Sequence, residues 1–432
     1  MRSSGAAGWI VAVVLLAGFV IIVFSATPWQ PFPDANIELV PADPDRDFTA
    51  AEQAAAAQYR SDSRPAGYLN LVTGLVVALV LGLTTLGAWI VEMAARPLGG
   101  GWVWQVVLGG LAVLLVMRVA TLPFSAWAES VRRTYGLSTR NWAGWFGDIA
   151  RSFGLQTTGT LLALLALVAL ARVWPRWWWV PAAGGAAALV VVLSFLYPLV
   201  VEPVFNKFTP MPEGELRTSL IELAQRDGVD VDEVLVADAS RRTTTLNAYV
   251  SGFGATHRIV VYDTLLDQAP DDEIRSIVAH ELGHTVDNDV RNGTLMGALA
   301  AAAGVCVLAG LLTLRWPLER SGATGPADPR SIALILAIVT VLGLVAAPVQ
   351  NLVSRRVETR ADVHSLGLTG DPATFVETQR NLAVTAYSDP NPPAWLFALF
   401  YSHPTHPQRI ALARTWAQLN GVPEPADLVK GE

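Results

Sequence analysis

Charged residues are scarce in this 432-residue chain. Asp, Glu, Lys and Arg together make up 16% of it, against 52% hydrophobic residues, and the mean hydropathy is +0.40. This balance excludes an ordinary soluble enzyme and predicts a protein of the membrane. The net charge of −7, with no stripe of clustered Lys and Arg, excludes a nucleic-acid partner, because binding to phosphates requires such a stripe.

Cysteine is almost absent. The chain has one, Cys306, inside an apolar run. An internal disulfide and a thiolate metal cluster are therefore both excluded. A single cysteine does not indicate the redox compartment of the protein.

Long apolar runs, in contrast, are abundant. A bilayer core of about 30 Å takes roughly 20 helical residues to cross, and seven stretches are long enough. Tryptophans cluster at Trp174 and 177–179 between the fourth and fifth stretches, as expected at a membrane interface. The first stretch has features of a cleaved signal peptide, but its length favours a retained anchor. The seven stretches are 9–26, 68–94, 102–124, 154–174, 177–200, 293–314 and 331–352.

Two segments, one after the fifth stretch and one after the seventh, have mixed polar composition and predict a soluble catalytic domain. Residues 213–227 have the pattern of an amphipathic helix. Short β-branched runs at 234–236 and 259–262, with a third candidate strand at 246–253 ending at Gly252 and Gly254, predict a small sheet. The predicted division is 1–200 for five spans, 201–292 for a catalytic segment, 293–352 for two spans and 353–432 for a second catalytic segment.

The sharpest chemical signal is His280-Glu281-Leu282-Gly283-His284, in a stretch with helical character from residue 271 to about 290. Histidines four residues apart lie on one helical face, so that both imidazoles reach one ion. Glu281 then borders the open coordination position, where a carboxylate can take a proton from water and return it to a leaving amine. The pattern predicts one catalytic zinc ion per chain.

Catalytic zinc takes three protein ligands, and Glu358 is the best candidate for the third. Asp362 lies one helical turn further on the same face and is placed to orient a ligating histidine. The alternative is that Glu358 and Asp362 belong to a solvated helix, since Arg355, Arg356 and Arg360 lie beside them in the chain.

The number of crossings places all three candidate ligands on one side of the membrane, because two spans separate His284 from Glu358. The loop that contains Arg132, Arg133 and Arg140 shares that side, and its positive charge favours the cytoplasm. The excess of Arg over Lys and the abundance of Ala are typical of a GC-rich bacterial genome. We therefore expect an integral protein of a bacterial plasma membrane with a cytoplasmic active site.

The other histidines carry less information. His257 and His364 are each isolated and are expected to be structural or surface residues. His403 and His406 form, on spacing alone, a turn with two histidines. The segment 246–251 is the candidate for an exposed strand edge that holds an extended peptide substrate.

Several stretches together resemble the type I CAAX prenyl protease family, integral-membrane zinc metallopeptidases of the gluzincin type related to the heat-shock protease HtpX. The resemblance extends from about residue 68 through most of the chain. The stretches that carry it are Leu122 to Ser125, Glu202 to Pro210, Asn247 to Tyr249, Arg258 to Leu266, His280 to His284, Glu358 to Asp362 and Ser402 to Pro404.

The resemblance implies a mainly helical membrane barrel of seven spans that encloses a water-filled chamber, together with a zincin-like α+β catalytic domain. It implies that Asp362 supports the zinc ligands, that His403 stabilises the transition state with Arg409 beside it, and that Asn247, Ala248 and Tyr249 bind substrate. It also implies cleavage of peptide bonds near the C-terminus of lipidated proteins. Membrane lipids are the other expected partners, and the oligomeric state stays open.

Two other functions are compatible with the same residues. A quality-control protease that cleaves damaged membrane proteins would have the same site and no dependence on a lipid. A non-catalytic scaffold or transporter would retain zinc for stability alone, and it would have no need of Glu281 because a structural site fills all four positions with ligands.

Overall fold

The computed structural model describes residues 2–33, 38–252 and 257–429. Helices account for 74% of the described residues. In the described ranges seven helices are long and apolar enough to cross a membrane, as the sequence predicted. We call them spans 1 to 7: Ala7–Ala26, Ala50–Gly82, Trp102–Thr134, Trp142–Val173, Trp179–Phe205, Asp289–Leu311 and Pro329–Thr369.

Two spans begin well before the apolar runs that predicted them. Span 2 starts at Ala50, where the Thr49 side chain and Glu52 form a reciprocal capping box, and it ends at Gly82. A separate helix, Thr85–Ala95, follows it. Span 4 starts at Trp142 with Asn141 as its N-cap. Apolar length alone identifies the part of a helix that lies in lipid, whereas capping residues determine where the helix begins.

Span 7 ends later than its apolar run. Its main helix, Ile332–Thr369, is continuous and carries Glu358 and Asp362 beyond the apolar part. The predicted boundary between a membrane segment ending at residue 352 and a catalytic segment starting at 353 falls inside this helix. The four-segment division stays a prediction, and the continuous helix makes span 7 a rigid support for the candidate metal ligand.

The spans approach each other closely where small residues face a neighbour. Span 1 packs on span 6, and a Cβ atom at Gly310 would lie 2.4 Å from the ring of Trp9. Span 2 packs on spans 3 and 7, and a Cβ atom at Gly82 would lie 2.5 Å from that of Ala337. Such contacts supply the van der Waals packing that holds membrane helices together where the hydrophobic effect does not.

A four-stranded sheet lies in the catalytic segment, in the order β1-β2-β4-β3. The strands are β1 Phe208–Pro210, β2 Val231–Ala237, β3 Ala248–Ser251 and β4 His257–Tyr262. β2 and β4 are parallel, whereas the β1-β2 and β3-β4 pairs are antiparallel. The sequence predicted β2, β3 and β4 but not the short β1. Gly254, predicted to end β3, lies outside the described residues.

One face of the sheet packs on two helices, the amphipathic helix Glu215–Arg226 and the helix Asp271–Val286 that contains the two predicted histidine ligands. Leu220, Val234, Ile259 and Leu282 are buried between them. The remaining described helices of at least six residues are Asp263–Gln268, Arg315–Ser321, Pro372–Thr385, Ala394–Phe400 and His406–Asn420.

The chain between spans 1 and 2 is anchored to the C-terminal helix His406–Asn420. Asp47 and Arg414 form a buried ion pair there, with side-chain exposures of 1% and 2%. The amide of Val40 also donates to the Thr415 hydroxyl over 2.9 Å. No motif in the sequence indicated this tether.

Candidate metal centre

The helix Asp271–Val286, which we call the catalytic helix, begins with Asp271, Asp272 and Glu273. Acidic residues in the first turn favour the helix because they face the positive end of its dipole. Its one-turn spacing places His280 and His284 on the same face, with ring centroids 4.9 Å apart. The helix ends at Val286, and Asn288 turns the chain through a left-handed conformation (φ 57°) into span 6.

Span 7 brings Glu358 to the two imidazoles. Glu358 Oε2 lies 3.2 Å from His280 Nε2, and Glu358 Oε1 lies 3.7 Å from His284 Nε2. One potential ligand atom from each residue lies within 4.8 Å of the others. Residues 280, 284 and 358, which the sequence singled out separately, are therefore neighbours in space.

Gly283 permits this approach of the two helices. A Cβ atom at Gly283 would lie 3.0 Å from the Cβ of His364 and 3.1 Å from two ring atoms of the same side chain. His364 is held in turn by Asp227, whose carboxylate lies 2.8 Å from the ring Nε2. His364 thus has a structural role, which is one of the two roles expected for it.

Each imidazole is oriented by a carboxylate that also pairs with an arginine. His280 Nδ1 lies 2.9 Å from Asp362, which accepts hydrogen bonds from Arg409. Arg409 also lies 3.3 Å from the same Nδ1, but a guanidinium only donates, so we assign the Nδ1 proton to the bond with Asp362. The Nε2 lone pair of His280 then faces Glu358.

His284 has an equivalent pair of neighbours that the sequence analysis missed. Its Nδ1 lies 2.9 Å from Asp289 Oδ2, and Asp289 forms an ion pair with Arg360. Asp289 opens span 6, five residues after His284, and Arg360 lies two residues after Glu358. A carboxylate soon after the second histidine was the available signal, but only the left-handed turn at Asn288 brings it back to the ring.

The electrostatics of the site fit a cation. Burial alone would lower the pKa of His280, but hydrogen bonds with Asp362 and Glu358 raise it to about 10. The local field thus favours positive charge at this imidazole, and a metal ion at Nε2 would satisfy the same preference. Two imidazole nitrogens and one carboxylate oxygen are also a donor set typical of catalytic zinc.

Glu281 lies beside these residues without being part of the set. It lines a cleft of about 110 Å³ together with His280, His403 and Arg409. Burial raises the pKa of the Glu281 carboxyl above its usual range. A carboxylate with a raised pKa is a stronger base and is suited to proton transfer.

His403 reaches the cleft from the loop before the C-terminal helix. Its Nε2 lies 3.4 Å from Glu358 Oε2, and its side chain is 59% exposed. His406, the first residue of the C-terminal helix, lies 3.0 Å from the Gln379 side chain and is not among the residues that line the cleft.

β3 lies at the edge of the sheet, with β4 as its strand neighbour among the described residues. Asn247, just before β3, lines the cleft with His280 and Glu281. Ala248 is buried against the core. The Tyr249 hydroxyl instead donates a hydrogen bond to the Glu202 carboxylate of span 5 over 3.2 Å, and Tyr249 is not among the residues that line the cleft. Of the three predicted substrate-binding residues, the structure brings Asn247 alone into the cleft.

Two family models match the chain. Residues 34–207 match the CAAX prenyl protease N-terminal model, described as five membrane helices, and residues 210–417 match peptidase family M48. The break between the models falls directly after span 5. Together they cover spans 2 to 7 and most of the catalytic segments, whereas span 1 precedes both matches.

Individual relatives agree with these matches. The chain is 32% identical to the uncharacterised metalloprotease YhfN of Bacillus subtilis over 68% of this chain and 70% of that protein. It is 36% identical to a CAAX prenyl protease 1 homologue of Oryza sativa and 30% identical to CAAX prenyl protease 1 of Saccharomyces cerevisiae, over about half of each chain in both cases.

A solved structure shares the fold. The crystal structure of S. mikatae Ste24p aligns with a TM-score of 0.76 and 22% identity over 94% of this chain and 98% of that one. The predicted helical membrane barrel with a small catalytic sheet is thereby confirmed. The chain belongs to peptidase family M48, as an integral-membrane metalloprotease of the CAAX prenyl protease type.

Proposed function

We propose that the protein is a zinc-dependent endopeptidase in which His280, His284 and Glu358 hold one zinc ion. The observation that carries the proposal is the arrangement of the three side chains. Their ligand atoms converge within 4.8 Å, while the Nδ1 atom of each imidazole faces a carboxylate. Both Nε2 atoms are thereby left as ligands, and three protein ligands leave a position for chemistry.

When bound, zinc would polarise the scissile carbonyl and make water a stronger nucleophile. Glu281 takes the proton of the attacking water and returns it to the leaving amine, because its carboxyl lines the cleft and has a raised pKa. His403, in the same cleft, donates a hydrogen bond to the oxygen on which negative charge develops. Arg409 donates a hydrogen bond to Asp362 and fixes the orientation of the His280 ring through that carboxylate.

The substrate is proposed to lie extended along β3. Its free edge offers main-chain groups for pairing with a peptide, and Asn247 lies where an amide can bond a peptide group of the substrate. Pairing of this kind presents the scissile carbonyl to Glu281 and His403. Ala248 and Tyr249 would contribute through the strand itself.

The proposed substrates are lipidated proteins cleaved near their C-termini, by analogy with relatives named CAAX prenyl proteases. Quality-control cleavage of membrane proteins is the second candidate. It is favoured by the 32% identity with the bacterial metalloprotease YhfN, whose name specifies no lipidated substrate. The rate of cleavage of one peptide with and without a farnesyl group distinguishes the two, since equal kcat/KM values would support quality control.

The catalytic proposal is tested with Glu281→Gln. An amide of the same shape cannot accept the proton of water, so turnover should fall at least about a hundredfold, the lower end of a general base's contribution. Zinc content should stay at one per chain, whereas the control His280→Ala should lose zinc. Activity within tenfold of wild type would contradict the role of Glu281. Absence of cleavage in the zinc-loaded wild type with all substrates would favour the scaffold.

We further propose that the site faces the cytoplasm of a bacterial cell. The supporting observation is positive charge where spans 3 and 4 meet, with Arg132 and Arg133 in the last turn of span 3 and Arg140 in the loop that follows. A reporter placed in this loop and one at the C-terminus should both report a cytoplasmic location. Opposite locations would contradict the seven-span topology.

A further inference from the structure

A second polar cleft, of about 300 Å³, lies at the start of span 4 and is separate from the candidate metal centre. The loop before span 4 forms one wall and the short helix Ala239–Arg241 of the catalytic segment contributes to the other. The two walls are joined directly, because Thr139 donates a hydrogen bond to the carbonyl of Ser240 over 2.7 Å. Four of the lining residues are Arg140, Arg151, Arg241 and Arg242.

Carboxylates do not fully balance these four cations. Asp148 is the one acidic residue among the lining residues, and it is shared by Arg140 at 3.3 Å and Arg151 at 2.9 Å. Two carboxylates outside the lining add to it, since Arg140 also pairs with Glu129 and Arg241 pairs with Asp238 at 3.4 Å. Arg242 bonds the neutral amide oxygen of Asn206. The lining therefore carries an excess of positive charge at the start of span 4.

Two donors in this group lack partners. The Nε atoms of Arg140 and Arg242 are buried and have no hydrogen-bond partner among the described residues. A buried donor without an acceptor is costly. Both arginines line the cleft, so a small rotation of either side chain would present these donors to a ligand with several charged acceptor oxygens, and the planar fork of arginine matches phosphate. The start of span 4 adds the positive end of its helix dipole.

The surroundings indicate the source of the phosphate. Trp142 and Phe146, on the first turns of span 4, are 43% and 50% exposed, as expected for aromatic side chains at the level of lipid headgroups. The Arg133 guanidinium lies over the Trp142 ring at 4.0 Å. An apolar and aromatic surface beside an arginine-lined cleft fits a molecule with acyl chains and a phosphate better than it fits a free ion.

We propose that this cleft binds the phosphate of an anionic membrane phospholipid. Because the cleft joins the loop before span 4 to the catalytic segment, a bound headgroup stabilises the contact between the membrane part and the catalytic segment. The site does not involve the zinc ligands, so its test is independent of peptidase activity.

The test measures the melting temperature of the full-length protein in an uncharged detergent. Dihexanoylphosphatidylglycerol is titrated against dihexanoylglycerol, which lacks the phosphate, and against inorganic phosphate. Arg242→Gln removes one of the unpaired donors. Arg151→Gln removes a cation whose side chain is 51% exposed, so its loss should leave the fold intact. Arg96→Gln, at an exposed arginine remote from the cleft lining, is the matched control for charge.

We expect phosphatidylglycerol, and not the phosphate-free lipid, to raise the melting temperature. Arg242→Gln and Arg151→Gln should each raise the phosphatidylglycerol concentration that gives half of the melting-temperature shift by roughly tenfold, the loss expected for one charge-assisted hydrogen bond. Arg96→Gln should match wild type. An equal loss in Arg96→Gln, or no shift with phosphatidylglycerol, would overturn the proposal. An equal response to inorganic phosphate, lost in Arg242→Gln, would overturn the lipid assignment in favour of free phosphate.

Discussion

Asp289 gives the sharpest test of how the metal centre is built, because the chain provides a matched control two residues away. Arg360 forms ion pairs with both Asp287, at 2.7 Å, and Asp289. Only Asp289 also contacts an imidazole, that of His284 at 2.9 Å. Asp287→Asn and Asp289→Asn therefore remove the same charge from the same arginine, and they differ in the contact with His284.

The expected magnitude follows from that contact. Loss of a carboxylate that orients a ligating histidine costs about 10 to 100-fold in metal affinity, or roughly 1.4 to 2.8 kcal/mol. Asp289→Asn should weaken zinc binding by this amount, and Asp287→Asn should change it by less than about threefold, as expected for a partly exposed ion pair. Asp289→Ala should weaken zinc binding further, since the amide oxygen of Asn can still accept a hydrogen bond from the Nδ1–H group of His284.

The assay is competition for zinc with a chelator of known affinity, followed by zinc content on the purified variants. Thermal melting of the zinc-free proteins provides the control for folding, because both variants lose a charge near the start of span 6. Equal losses of zinc affinity in the two Asn variants, or wild-type affinity in Asp289→Ala, would contradict this role of Asp289.

Three further predictions concern the cleft and the fold. His403→Ala should raise the activation barrier for kcat by about 2.7 to 4 kcal/mol, the contribution of one oxyanion donor, with zinc content unchanged. Turnover at the wild-type rate would contradict a role for His403 in the mechanism. Asp47→Ala should destabilise the protein by about 3 kcal/mol, the lower end of the loss for a broken buried ion pair, because Arg414 loses its buried carboxylate and keeps only the more distant Asp427 and Glu424. Asp427→Ala, at a side chain 47% exposed, should cost at most about 1 kcal/mol. Equal losses of unfolding free energy in these two variants would contradict a buried anchor. Burial, with Arg409 and His403 adding repulsion against the attraction of Asp362, lowers the pKa of His406 to about 3, below its value of about 6.5 in the unfolded chain. The unfolded state then binds more protons between these values, so stability should fall as the pH drops from about 6.5 towards 3. In zinc-free protein His406→Gln should flatten this dependence, and an unchanged slope would refute the assignment.

Sequence periodicity was sufficient for much of the candidate site. A four-residue spacing on a helix places His280 and His284 on one face whatever surrounds them. Hydropathy alone gave the number of spans, since the length of an apolar run is a local property. The parity of the crossings then placed Glu358 on the side of the histidines. Two β-branched runs and one segment that ends at glycine identified three of the four described strands.

Other features required contacts that no local pattern encodes. Capping at Asn141 and the continuous helix through residue 352 set the lengths of spans 4 and 7. Tyr249 belongs to the motif of the resemblance, yet its bond to Glu202 holds it outside the cleft. The tether between Asp47 and Arg414 joins residues at opposite ends of the chain.

The two parts of the metal centre illustrate the physical reason. The sequence by itself determined which atoms could bind a metal, because ligand chemistry and helical spacing are properties of a few neighbouring residues. Only the tertiary structure decided how those atoms are aimed. The left-handed turn at Asn288 folds Asp289 back onto His284, and the packing of Gly283 against His364 sets the distance between the catalytic helix and span 7. Orientation depends on the packing of distant segments, and that packing is not written in any single stretch of the chain.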